Sequence, residues 1–234
     1  MRSSSCCSSF CTSTERQFSD AVAQRDLRRY RRRGPERTTR LLRDAILQAG
    51  AVGSVLDVGT GIGALSFELL ASGAPRAVAV DAASAYLAVA RAEAARRNFA
   101  GRLELLHGDF VTVGPQIASA DVVAMNRVVC CYPAYEPLLE TALGRSRRCF
   151  AFSYPHDRWY VRAVVWLMNV TRALFRNPFR VFVHSAAGMH ALIARCGFSA
   201  VSRSTTPVWA VEVYAKQMRN AEFGMRNVRT GFEP

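Results

Sequence analysis

The segment Val55-Leu56-Asp57-Val58-Gly59-Thr60-Gly61-Ile62-Gly63 is an apolar run holding one carboxylate, followed by three alternating glycines and the helix-favouring stretch from Ala64. A strand that turns on glycine into a helix brings main-chain N–H groups close to a ligand, because a Cβ at those positions would collide with it. A dinucleotide loop of the form Gly-x-Gly-x-x-Gly/Ala can also be read through Gly59, Gly61 and Ala64. Asp57 separates the two readings. A carboxylate two residues ahead of the glycines is badly placed for a pyrophosphate and suits a cationic end, such as the ammonium of an amino-acid moiety. Gly-x-x-x-x-Gly-Lys-Ser/Thr is absent, which argues against a nucleoside triphosphatase.

Outward from this loop, short apolar runs alternate with amphipathic segments. Strands are expected at Ser54–Val58, Ala77–Val80, Leu103–Leu106, Asp121–Met125 and Cys149–Ser153, with helices near Ala64–Ser72, Ala83–Asn98 and Ala134–Leu143. Fully apolar strands alternating with helices imply an α/β fold with a parallel sheet covered on both faces. Val201–Thr205 and Val208–Ala215, split by Pro207, read as a closing antiparallel hairpin, preceded by a helix near Ala186–Cys196. Ahead of the loop, residues 14–50 read as a helical cap. Its first helix stops at Gly34-Pro35 and its second, Thr38–Ala49, gathers Leu41, Leu42, Ala45 and Ile46 on one face. The Ser/Cys-rich residues 1–13 and the tail 216–234 are expected to be disordered or loose, leaving 51–215 as the principal domain.

Two more acids sit at strand ends. Asp81 closes the second strand, where a carboxylate can accept from both ribose hydroxyls. His107-Gly108-Asp109-Phe110 follows the third, where Asp109 can accept from an adenine amino group and Phe110 can flank the ring. Each acid alone reads equally well as a helix N-cap. Three at successive strand ends favour the cofactor.

At these residues the sequence resembles the class I S-adenosylmethionine-dependent methyltransferases, over roughly Thr38 to Ala215, through LDVGTGIG (56–63), the Asp81 strand end and HGDF (107–110). The resemblance implies a Rossmann-like seven-stranded sheet of order 3-2-1-4-5-7-6, with S-adenosyl-L-methionine above the carboxyl ends of the strands. It implies Asp57, Gly59, Thr60, Gly61 and Gly63 at the methionine end, Asp81 at the ribose, and Asp109 and Phe110 at the adenine. Asn126 would lie beside the reacting centre. Segments 124–133, 152–160 and 176–184 look like a bacterial small-molecule group, and are more loosely similar to magnesium-protoporphyrin O-methyltransferase. Where amino-methylases of nucleic acids and protein glutamine carry Asp/Asn-Pro-Pro-Tyr, this chain reads Asn126-Arg127-Val128-Val129. That departure argues against chemistry on a planar amide or a flipped base.

The expected reaction is methyl transfer to a small, partly apolar acceptor at oxygen or sulfur, dominated by positioning. A carboxyl O-methyltransferase of the tetrapyrrole kind is the alternative enzyme, and a non-catalytic RNA-binding relative is the alternative outside enzymes. Asn126, Arg127, Tyr132, His156, Asp157 and Arg158 follow strands four and five. His156 is the preferred general base, since its ordinary pKa of about 6.5 suits proton removal near neutrality, although a solvent-facing loop histidine is the plain alternative. Arg127 and Arg158 could bind a substrate carboxylate. His107, His184 and His190 are weaker candidates.

The insertion Tyr154–His184 holds an apolar helix with arginines around it. A lid over an apolar pocket is the favoured reading, ahead of a core helix or a weak membrane-surface contact through 159–176. The run Arg28–Arg33 lacks interleaved aromatics beyond Tyr30, so nucleic acid is not expected. A solvated helix face or a cap whose Tyr30 or an arginine reaches the methionine carboxylate fits better. The chain's 31 basic and 18 acidic residues give a charge of +13, yet Lys216 is the sole lysine, a skew that a GC-rich coding bias also produces. Its seven cysteines form no framework or zinc spacing, so no metal is expected. With no secretory signal pattern and no uninterrupted apolar span, the expectation is a reduced, soluble, cytoplasmic protein.

Overall fold

The computed structural model describes residues 9–50 and 53–217. The expectations for residues 1–8 and 218–234 lie outside the described residues. In chain order the elements are α1 (Ser9–Gln17), α2 (Asp20–Arg33), α3 (Arg37–Gln48), β1 (Val55–Val58), α4 (Ala64–Ala71), β2 (Ala77–Asp81), α5 (Ser84–Arg96), β3 (Leu103–His107), the single turn α6 (Phe110–Val113), β4 (Ala120–Asn126), α7 (Glu136–Arg145), β5 (Ser146–Pro155), α8 (Trp159–Leu174), α9 (Ala186–Arg195), β6 (Phe198–Thr205) and β7 (Trp209–Lys216).

The strands form one seven-stranded sheet of order β3-β2-β1-β4-β5-β7-β6, as the resemblance implied. The first five run parallel, while β7 lies antiparallel between β5 and β6. The order follows from burial. Val55–Val58 is covered on both faces, as only a central strand can be.

One apolar layer joins α2, α3, α4 and α5 to the sheet through Leu27, Leu42, Ile46, Phe67 and Leu70. The opposite layer packs Met125, Leu138, Leu139, Phe152, Met189 and Ile193. Each such fully buried side chain contributes about 2–3 kcal/mol relative to exposure. The reversal of strand order between β1 and β4 places a crevice at the strands' carboxyl ends.

The N-terminal region departs from expectation. Residues 9–13 are helical rather than disordered and run into one helix with residues 14–17, and Cys11 is 2% exposed and disulfide-bonded rather than reduced. Contacts distant in sequence hold this helix: Glu15 accepts from the Ser84 main chain at 3.0 Å, Phe18 packs on Tyr86 and Phe179, and Gln17 accepts from Asn177 at 2.9 Å. α2 ends at Gly34, with positive φ, directly before Pro35.

Candidate active site

β1, β2 and β4 end at the floor of a cavity of about 460 Å³, within the usual range for small-ligand pockets. Its floor is the glycine turn. Gly59 adopts φ +64°, and a Cβ there would stand 2.4 Å from Val128, so this approach of β1's end to the post-β4 turn excludes a side chain.

Asp57 is 1% exposed and accepts from the Thr60 and Ser66 hydroxyls, each at 2.7 Å. Burial pushes its pKa up, and those hydroxyls oppose the rise. Asp81 accepts from the main-chain N–H of Gly61 at 2.7 Å and of Ala83 at 2.8 Å, bracing loop against strand. Burial raises its pKa to about 6 despite these donors. Both carboxylates line the cavity, with Gly59, Thr60, Gly61 and Phe110.

The other wall is assembled from distant parts of the chain. Asn126 donates to Thr39 at 2.9 Å and accepts from Ser153 at 2.8 Å. Arg127, at φ +65°, pairs with Glu36 and stacks on Trp209 at 4.5 Å. Glu36 also pairs with Arg29. Cys130 and Cys131, with sulfurs 4.0 Å apart, continue the wall to Tyr132, Met168 and Val181. The Cys131 thiol and then the Arg127 charge draw Cys130 below the usual thiol value, partly offset by burial, while Cys131 is pushed up.

Residues 55–151 match the family model described as a methyltransferase domain. The ribosomal protein L11 methyltransferase of Geobacter metallireducens is 36% identical over 97 residues, which are 39% of this chain and 32% of that protein. The chain therefore matches about a third of that relative's length. Magnesium protoporphyrin IX methyltransferase from Synechocystis PCC 6803, solved with S-adenosylhomocysteine bound, superposes with TM-score 0.70 at 16% identity, covering 88% of this chain and 99% of that one. The pyocyanin biosynthetic protein PhzM superposes with TM-score 0.58 at 19% identity, covering 88% and 61%. At these identities both likenesses are of fold.

The cavity has groups suited to S-adenosylmethionine. A Cβ on Gly61 would meet no protein atom within 4 Å, and Gly61 lines the cavity, so the main chain there is bare toward the ligand. The carboxylates of Asp57 and Asp81 match an ammonium and a pair of ribose hydroxyls.

Gly63, Asp109, His156 and Asp157, all singled out in the sequence, are not among the residues lining the cavity. Gly63 caps α4 and backs onto Phe67. Asp109 takes the N-cap alternative: it accepts from Val111 N at 3.1 Å and from the Tyr132 hydroxyl at 2.8 Å, so it braces the adenine-side turn. His156 Nε2 donates to the Thr206 carbonyl at 3.1 Å, anchoring the β6–β7 turn, which removes the preferred general base from the cavity. Asp157 pairs with Arg162 at 2.5 Å. Tyr132 does line the cavity, but burial first, and then Asp109, raise its phenol well above the usual value, so it is no base at neutral pH. Tyr30 lines it too, with its hydroxyl turned to Glu68 at 2.9 Å.

Sequence reading missed Glu36, Thr39 and Trp209. No spacing marks them, because α3 and β7 bring them to β4 only after folding. Gly34-Pro35, which ends α2 just before Glu36, was the one visible hint.

Proposed function

We propose that this protein transfers a methyl group from S-adenosylmethionine to a small, partly apolar acceptor with an oxygen or sulfur nucleophile. The observation that carries the reading is one cavity with a carboxylate-and-glycine wall on one side and an Arg127–Trp209–Cys130 wall on the other. When bound, S-adenosylmethionine supplies a sulfonium-activated methyl carbon open to in-line displacement.

The chain's own residues do the positioning. Asp57 and the Gly59–Gly61 turn hold the amino-acid end, Asp81 accepts from the ribose, and Phe110 flanks the adenine. Val128, Cys130, Met168 and Val181 exclude water from the acceptor side. Glu36, held between Arg29 and Arg127, is the carboxylate on that side able to take a proton from the acceptor.

The two guanidiniums also favour a second reading, an acceptor carrying a carboxylate, such as a porphyrin propionate. A labelled-methyl screen of thiols, phenols, carboxylic acids and porphyrins tests both. Label is expected in at least one class. Absence of S-adenosylhomocysteine binding by calorimetry would overturn the proposal.

A further inference from the structure

Helix α8 packs on the protein by one face and is bare on the opposite one. The inner one, Val161, Val165 and Asn169 with Arg172, packs on the protein, and Asn169 exchanges hydrogen bonds with the Val181 main chain at 2.7 and 3.0 Å. The outer one presents Trp159, Trp166, Leu167, Val170 and Leu174, with Phe175 just beyond the helix end. Trp159 and Leu174 are 80% and 78% exposed. Among the described residues, eight of the ten exposed large hydrophobic residues fall within 159–175, so this is one concentrated patch and not the scatter ordinary to a protein surface. No helix among the described residues is long and apolar enough to cross a membrane.

We propose that α8 lies in the plane of an anionic lipid bilayer, its outer face among the acyl chains and its flanking arginines at the headgroups. Exposed Arg158 and Arg176 stand at the two ends of the helix, and Arg162 lies along its side. Residues 157–184 carry five arginines against the single acid Asp157, a surplus of four positive charges. That surplus selects among occupants. A second copy docked face to face would set surplus against surplus, and the segment 218–234 brings three arginines against two glutamates. An anionic surface supplies both the missing charge and the apolar medium, the pairing that holds an amphipathic helix in an interface.

The position of the helix beside the cavity also gives the arrangement a use. Met168 of α8 and Val181 behind it line the cavity, so the helix stands between the bilayer and the acceptor wall. An apolar acceptor can pass from lipid to cavity without crossing water. That last step rests on the methyl-transfer reading, whereas docking does not.

The test is co-sedimentation of the full chain with vesicles of phosphatidylcholine alone or mixed with phosphatidylglycerol, in the absence of donor and acceptor. Two of the three tryptophans are on α8, so a blue shift of intrinsic fluorescence should accompany binding. Partitioning should be at least tenfold stronger on anionic vesicles. Trp166→Ser combined with Leu167→Ser should lower it at least tenfold, and Arg158→Gln or Arg176→Gln about fivefold each. Unchanged S-adenosylhomocysteine affinity by calorimetry would show that the variants are folded. Equal partitioning of wild type and the Trp166/Leu167 variant, no vesicle binding, or an α8-dependent dimer by light scattering would each overturn docking. A failure here leaves the methyl-transfer reading standing.

Discussion

The two walls of the cavity are built on different length scales. On the donor side, Asp57 bonds to groups three and nine residues away, and Asp81 to main-chain donors two and 20 residues away. On the acceptor side, Arg127 reaches Glu36 across 91 residues and Asn126 reaches Thr39 across 87. The first wall is the local geometry of strand, turn and helix. The second exists only when the N-terminal helices have docked, so damage to that docking should spare the donor wall and change the acceptor wall.

The largest effect should come from within the donor wall. Asp81→Ala leaves the Gly61 and Ala83 N–H groups without their acceptor and removes the proposed ribose partner. S-adenosylhomocysteine affinity should fall about 100-fold by calorimetry, equivalent to about 2.7 kcal/mol. Asp81 is pushed up to about 6, so the carboxylate proposed to accept from the ribose is lost as pH drops through that value. Wild-type affinity should weaken below pH 6, and an affinity flat from pH 8 to 5 would remove Asp81 from the ribose.

Next comes the joint between the two regions. Glu93 of α5 is fully buried among Arg96, Arg97 and Arg31, the last reaching over from α2 at 2.7 Å. Hydrogen bonds from Arg96 first, then Arg97 and Arg31, hold its pKa at about 2 against an ordinary 4.5. A lowered folded-state pKa means stability present above pH 4.5 and lost as pH falls toward 2. Glu93→Gln should cost about 2 kcal/mol in denaturant unfolding at pH 7, a deficit that shrinks toward pH 2. A deficit independent of pH would show that the cap is not held by this charge.

A smaller effect should separate the walls outright. Glu36→Gln is expected to lower kcat/KM for the accepted substrate about tenfold, with S-adenosylhomocysteine affinity within twofold of wild type. An equal loss in both would make the two walls one unit.

The smallest effect is expected at His156. Because its Nε2 is spent on the Thr206 carbonyl, His156→Ala should leave turnover and its pH profile within twofold of wild type. A collapse of turnover with a lost acid limb would return it to the mechanism.

Legibility followed the same division. Asp57, Asp81 and the glycine turn could be read because their spacing is their geometry. Asp109 was read for the adenine, and the structure shows it capping α6 and holding the Tyr132 hydroxyl, because an aspartate after a strand is both a cap and a ligand until its neighbours are known. His156 was chosen on chemistry alone, and the β6–β7 turn decided otherwise. Residues 9–13 of α1 were misread as disorder because Ser/Cys-rich composition carries no trace of the contacts that hold the other end of the helix, Glu15 with Ser84 and Gln17 with Asn177.

By itself the sequence determined the sheet, its alternation with helices and the donor wall, since hydrophobic period and glycine placement act over a few residues. Tertiary structure alone decided which groups face the acceptor. It also decided that one side of α8 packs while the other is left bare. Both depend on contacts between segments many tens of residues apart, and no local pattern specifies such contacts before the chain has folded.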